Sequence, residues 1–437
     1  SSGSPVADTL GQMRYLDGTA IISDTTGALL LYTNGKTIWN AQHDTMQNGD
    51  LNALSFTHAY HSAVIVPHPG KDKMFYVFTA DGVENNGNLG IQYSKIDMSL
   101  DGGLGSVVLK DSTLFNPCTE VLSAVERIGT DTVWIMTHEK NSNTYRTYII
   151  DEFGLLLLPI KTTISNHVQT DTSGGKGLVG YQFSPDGTMG AAFQGWNYPI
   201  TGKTDSLELY KFNQKTGVLS QKITIPIDTT LGGLSLSPNN HYLYVSSGYW
   251  GRPIHRFDMS VWDKSAILSS KELIATGTNF VFLHLQGGPD GKIYTSWETN
   301  SKMSVLKNPN QESGVTLLED TISLNGRQYS QGLVNYIQSY VNDTSGTVGV
   351  LEKNAFMKDV DIYPNPANRT INVEFKKASE EERHIKLINV EGKTIMEKYT
   401  RNPSLRLNVE DVSSGTYILE INSKIYKYTQ KIQIIKP

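Results

Sequence analysis

Four histidines crowd the early part of the chain: His43, His58, His61 and His68, with His58 and His61 three residues apart in "HAYH". Two imidazoles at that spacing can share a metal ion, but a firm site needs a third ligand that the spacing does not supply. "MSLDGGLG" (98–105) has the glycines of a calcium loop without its alternating carboxylates or its distal bidentate glutamate. Glu120, Asp205 and Glu298 are acids that a folded sheet can gather at one mouth. Glycoside hydrolysis requires two carboxylates at a set separation, which a sequence does not fix. No Gly-x-Ser-x-Gly elbow, phosphate loop or dinucleotide fingerprint occurs. The single cysteine, Cys118, excludes an intrachain disulfide and a zinc site built from several thiolates, and reads as a small buried residue. No catalytic set, metal or cofactor is expected.

The aromatic residues carry a better signal. Trp196 lies 11 residues after Pro185, Trp250 lies 12 after Pro238, and Trp297 lies 8 after Pro289. Tyr198 and Tyr249 stand beside two of them. Aromatic faces grouped on one rim form a stacking surface for sugars or an anchor for a protein partner. The competing reading is packing in the interior.

What must position these residues is a repeat. "FSPDGTMGAAF" (183–193), "LSPNNHYLYVS" (236–246) and "GGPDGKIYTSW" (287–297) share a strand, a proline-led tight turn and an apolar strand. Proline fixes the first corner of such a turn, and glycine or asparagine tolerates the positive φ of the next. Weaker copies are "SDTTGALLLYT" (23–33), "VPHPGKDKMFYVFT" (66–79) and "ERIGTDTVWIMT" (126–137). A third strand follows each copy ("KTIWN", "IQYSKIDM", "TYRTYIID", "LELYKF", "PIHRFDM", "KMSVLKN"), and a fourth lies between copies, as in "SQKITIPI". Four strands per unit at a period of roughly fifty residues predict an all-β propeller. Helical periodicity is almost absent, which excludes an alternating α/β fold. Six blades are legible. "GVTLLEDTISL" (314–324) and "GLVNYIQSYV" (332–341) either close the ring or belong to a seventh, and seven is slightly preferred.

The bulk numbers agree with a soluble, multidomain protein. The chain has 437 residues, a 38% hydrophobic fraction and a formal net charge of −5. That charge argues against a nucleic-acid partner. No run reaches the length needed to cross a bilayer as a helix, and the longest apolar cluster, "FGLLLLPI" (153–160), reads as a buried strand. "SSGSPVADTL" has neither the basic start nor the apolar segment of a signal peptide, so an exported protein would be represented here by its mature chain. From Gly346 onward there are 15 basic and 12 acidic residues, against 23 and 31 before it. That step, beside the polar stretch "VNDTSGTVG", divides a propeller (1–345) and a short lead-in (346–358) from a C-terminal module (359–437).

The module reads as short, closely spaced strands: "TINVEF", "HIKLINV", "TIMEKYT", "LRLNV", "GTYILEI" and "YKYTQKIQII". Six or seven strands in about ninety residues predict an immunoglobulin-type β-sandwich. The prolines of "YPNP" at its start deny regular strand pairing and fix where the first strand begins.

Two resemblances add to this. "GTAIISDTTGALLLYTNGKTIWN", "SAVIVPHPG", "MSLDGGLG", "FSPDG" and "GLVNYIQSY" resemble a family of exported β-propeller proteins from Bacteroidetes, over most of residues 17–341. That family supplies no substrate. "YPNPANRTINVEF", "INVEGKTI", "VSSGTYILEI" and "YKYTQKIQIIKP", in that order, resemble the type A C-terminal sorting domain of the type IX secretion system over residues 359–437. Tyr363, Pro364, Asn365 and Pro366 match its leading motif, Gly392 and Lys393 its middle turn, and Gly415, Thr416 and Tyr417 its late strand. Lys431 matches its basic tail, where Gln430 replaces a second lysine.

The resemblance implies passage to the periplasm, then export to the cell surface through the outer-membrane translocon. The sorting domain would be read by a shuttle barrel protein, and a sortase-type cysteine protease would remove it. The expected function is a secreted cell-surface propeller that binds a protein or glycan. The alternatives are an extracellular propeller enzyme (glycosidase or lyase) and a retained component of the secretion or gliding machinery.

Overall fold

The structure is a computed structural model and describes residues 5–13, 18–51, 61–82, 85–164, 176–195, 205–227, 231–247, 253–276, 284–296, 300–329, 332–341, 360–375, 382–389, 393–422 and 427–436. The chain divides into two units, Ser1–Gly349 and Val350–Pro437.

Among the described residues, the first unit contains six consecutive four-stranded antiparallel meanders. They span residues 19–50, 63–115, 118–163, 176–227, 231–276 and 284–323, and are numbered here as blades 1 to 6. The first strand of each blade lies beside the first strand of the next, so the first strands line the axis. Their sequences show it: "AVIVP" (63–67) and "CTEVLSAVE" (118–126) are buried almost throughout, because both faces are covered. The fourth strands are polar and exposed on one face, as in "VLSQKITIPI" (218–227). The preference for seven blades is overturned. Thr316–Ser323 is the outer strand of blade 6, and Val334–Asn335 adds only a two-residue parallel pairing to Thr19–Ala20.

The repeated Ser-Pro-Asp-Gly turns join first to second strands, and they also tie the ring together. In blade 4, Ser184 Oγ donates to Asp186 Oδ1 (2.6 Å), while Gly187 takes φ +65°. The Asp186 amide in turn donates to Asn240 Oδ1 in the blade 5 turn (3.0 Å). Asn239 of that turn donates to Asn310 of blade 6 from both its backbone and its side chain (3.0 and 3.1 Å). Gln214 of blade 4 accepts from the Ile128 amide of blade 3 (2.8 Å). The repeat is therefore both a turn and a latch to the neighbouring blade.

Between blades 3 and 4 lies a buried polar chain. Tyr145 Oη donates to Tyr210 Oη (3.1 Å), Tyr210 donates to Glu208 Oε2, and Glu208 Oε1 accepts from Lys222 Nζ at 2.7 Å. The Glu208 side chain is 5% exposed and that of Lys222 20%. Burial pushes both phenols well above their ordinary range, so they stay neutral donors. Lys222→Met strands the carboxylate and is expected to cost about 3–5 kcal/mol. The measurement is a urea melt, with Glu208→Gln/Lys222→Met recovering most of the loss. Equal melts for Lys222→Met and the parent chain would show that the carboxylate is compensated elsewhere.

"FGLLLLPI" departs from its expected burial. Gly154–Thr163 is the outer strand of blade 3, with Phe153 81% and Leu158 77% exposed. Three residues, Leu157 to Pro159, oppose Tyr148 alone in the register, and this bulge turns Leu157 and Leu158 out to solvent.

Among the described residues, the second unit is a two-sheet antiparallel sandwich of seven strands. One sheet orders Val360–Tyr363, Thr370–Phe375 and Ser404–Asn408. The other orders Thr394–Thr400, Arg383–Asn389, Gly415–Asn422 and Lys427–Ile434. Ile371, Val373, Ile385, Leu387, Leu419, Ile421 and Ile432 fill a core that belongs to this unit alone. The seventh strand precedes the prolines: Val360–Tyr363 forms a hairpin with Thr370–Phe375, and "PNPANR" is its connection.

Candidate functional site

The axis of the first unit is occupied by the chain itself. Residues 333–341 run along the first strands of blades 1, 2, 3 and 6. The Leu333 amide donates to His284 Nδ1 of blade 6 (3.3 Å), and Tyr336 Oη donates to the Gly287 carbonyl of the same blade. Val334–Asn335 pairs with Thr19–Ala20 of blade 1. The Asn335 amide donates to Ala63 O of blade 2 (3.0 Å) and to Leu122 O of blade 3 (3.1 Å). Ile337 bridges to Ala124, and Ser339 Oγ donates to Glu126 Oε2 of blade 3 (3.2 Å). Asn335, Ile337 and Gln338 are buried. This segment ties blades 1, 2, 3 and 6 together through a two-residue pairing and side-chain bonds, not through a full-length strand. A second tie supports it at the rim, where the Arg327 guanidinium donates to the Thr9 carbonyl (2.6 Å).

Among the described residues, His43, His61 and His68 do not form a cluster. His43 Nδ1 bonds the Tyr32 hydroxyl (3.1 Å), and His68 Nδ1 accepts from the Gly70 amide (3.1 Å). His61 is buried near His284 at the axis, while His58 lies outside the described residues. Burial drives the His61 imidazole down to about 4, although backbone hydrogen bonds at Tyr181 and Leu122 oppose the shift. Among the described residues, no group of three His, Cys, Asp or Glu side chains is placed to hold a metal. Glu120 is buried on the first strand of blade 3, Asp205 begins the third strand of blade 4, and Glu298 lies outside the described residues. Cys118 is buried beside the Asp81 carbonyl, and burial pushes its thiol up to about 12.

Trp196, Tyr198, Tyr249, Trp250 and Trp297 all lie outside the described residues. The strands they follow are described. Met189–Gly195, Tyr242–Ser247 and Ile293–Ser296 are the second strands of blades 4, 5 and 6. The three connections thus leave equivalent places in consecutive blades.

In the second unit the motif residues fall on two elements that meet. Asn365 Oδ1 accepts from the Gln433 amide of the last strand (2.9 Å), and the Ala367 amide donates to Gln433 O (2.8 Å). Tyr363 is 44% exposed and donates to Glu374 Oε1 across its hairpin. Gly392 lies outside the described residues, but the turn is closed on both sides of it. The Asn389 amide donates to Lys393 O (2.9 Å), and the Lys393 amide donates to Asn389 Oδ1 (2.8 Å). Gly415, Thr416 and Tyr417 open the long strand Gly415–Asn422. Thr416 Oγ1 accepts from Gln433 Nε2 (2.8 Å), and Tyr417 Oη donates to Ser413 O (2.9 Å). Lys431 pairs through its backbone with Ile418. Lys436, which the motif matches do not include, donates to the carbonyls of Asn368 and Val409.

An all-β propeller joined to a small sandwich with this motif order defines an exported protein that carries its own C-terminal address. Residues 361–436 match the family model of the secretion system C-terminal sorting domain, and the second unit belongs to that family. Such domains mark proteins exported through the type IX secretion system to the cell surface or the extracellular space. No curated protein matches the chain. Three solved structures are similar to it in outline. Hydrazine synthase of Kuenenia stuttgartiensis shares 12% identity over 70% of this chain and 79% of its own, with TM-score 0.42. A protein of unknown function from Desulfotomaculum acetoxidans shares 10% over 87% and 95%, with TM-score 0.38. PorZ, described as an essential surface component of the type IX secretion system of Porphyromonas gingivalis, shares 10% over 92% and 63%, with TM-score 0.32. At these scores none bears on what this chain does.

Proposed function

We propose that the first unit is a surface binding module for a protein or glycan, delivered by the sorting domain. The observation that carries this reading is the filled axis. Residues 333–341 take the place where a propeller most often holds a small ligand, which leaves the outer face of the connections as the surface for a partner. Trp196, Tyr198, Tyr249, Trp250 and Trp297 are the residues we assign to that binding, from their spacing in the sequence alone. A shuttle barrel and the translocon read the sorting domain, and a sortase-type cysteine protease removes it at the surface.

Two outcomes test this. Deleting residues 342–437 is expected to leave a folded first unit in the periplasm, because the two units have separate cores. Surface display of the truncated chain would remove the export function from the domain. Trp250→Ala is expected to leave the melting temperature nearly unchanged and to lose ~2 kcal/mol or more of binding, read on a glycan array and by capture of surface partners. A loss of roughly 3–5 kcal/mol of stability would instead mark Trp250 as packing.

A further inference from the structure

We infer that the two ends of the sorting domain form one clamped signal, with Asn365 and Lys436 as its positioning residues. This rests on the assignment of the second unit as a sorting domain.

The last strand, Lys427–Ile434, lies at the margin of its sheet, where a bare row of backbone groups invites pairing with another chain. The leading motif covers the end of that margin. Pro364 and Pro366 have no N–H, so this segment cannot pair as an ordinary strand. It uses a hybrid instead. The Asn365 side chain takes the Gln433 N–H, and the Ala367 backbone satisfies Gln433 O at 2.8 Å and the Ile435 N–H at 2.9 Å. An asparagine between two prolines supplies the acceptor at the one place where the backbone has lost its regular register.

Lys436 completes the closure from the other side. Its ammonium donates to the carbonyls of Asn368 and Val409, both at 2.6 Å, and its amide donates to Ser414 Oγ at 2.9 Å. Asn368 belongs to the connection that follows the prolines, and Val409 directly follows the strand Ser404–Asn408 of the opposite sheet. One lysine thus staples the chain end, the leading motif and the second sheet. Charge-assisted bonds to two carbonyls are among the stronger ones available at a partly exposed site. Motifs some seventy residues apart in sequence are therefore presented as a single surface, and the export machinery receives a folded end, not a free tail.

The test uses the full chain and two measurements: amide hydrogen exchange at Gln433, Ile435 and Lys436, and the fraction of protein reaching the surface. Asn365→Ala and Lys436→Met are expected to speed exchange at these amides at least tenfold and to cut surface delivery severalfold, with the propeller melt unchanged. Asn365→Asp keeps the acceptor and Lys436→Arg keeps the cationic donor, so both are expected to restore protection and delivery together. Faster exchange with normal delivery would overturn the proposal. So would lost delivery with native protection, which would mean that the side chains are read directly, and so would failure of the Asp and Arg variants to rescue. If the domain had no role in export, the chain lacking residues 342–437 would reach the surface normally, a different result from any of these.

Discussion

A chain ending at Gly332 is expected to fold but to melt several degrees below a chain ending at Val341, which melts like the first unit of the full protein. The two differ by nine residues, yet those residues hold the axis. They supply the Asn335 amide that bridges blades 2 and 3, the Leu333 and Tyr336 bonds to blade 6, and the pairing with blade 1. Burial of Ile337 and partial burial of Tyr336 and Tyr340 add apolar stabilisation on the order of 5 kcal/mol in total. In a unit of this size such a loss lowers the melting temperature by roughly 7 °C. It also leaves backbone carbonyls of Ala63 and Leu122 facing an emptied axis. Thermal melts and protease resistance of the two truncations decide it, and a synthetic peptide of residues 333–341 is expected to restore the shorter one in part. Equal melts would show that the Arg327 tie and blade-to-blade packing suffice for closure.

Most of the architecture was legible because its causes are local. Pro185, Pro238 and Pro289 each sit at a turn whose Ser, Asp or Asn neighbours bond within a few residues, so the repeat survives as a sequence pattern. The leading motif of the sorting domain was readable from its resemblance to a known family, although Asn365 bonds the Gln433 amide far along the chain. What escaped depends on partners far along the chain. Nothing in "GLVNYIQSYV" announces that Asn335 meets carbonyls 272 and 213 residues earlier. The exposed leucines of "FGLLLLPI" were misread because an apolar run says nothing about which sheet edge it occupies. Lys436 was passed over for a related reason, since its partners are carbonyls, which every residue has. The choice between six and seven blades stayed open, with a slight lean to seven, because ring closure here uses an axial segment, a solution that leaves no strand-length signature.

Acid is expected to destabilise the first unit well before its carboxylates are all protonated. His61 and His138 are both buried, and burial lowers them to about 4 and about 3 respectively. His284 is also held well below its ordinary value by burial and by the neighbouring His61. Each of these imidazoles binds a proton more readily in the unfolded chain, where its pKa is about 6.5. Above that pH both states are neutral and the residues contribute no pH dependence. As pH falls below about 6.5 the unfolded state takes up protons that the folded state refuses, so stability drops. The loss attributable to His61 is complete near pH 4 and amounts to about 3 kcal/mol. That of His138 continues to lower pH, with its ring packed on Tyr145 at 4.6 Å and Glu139 and Lys222 acting in opposite senses. Glutamine is similar in size and neutral throughout, so His61→Gln/His138→Gln is expected to flatten the slope between pH 6.5 and 4. Urea melts at pH 7, 5.5 and 4.5 on both chains measure it. If the parent and the double variant lose stability in parallel across that window, His61 and His138 are not the groups responsible, and the acid sensitivity belongs to His284 or to the paired carboxylates, Glu139 with Arg146 foremost.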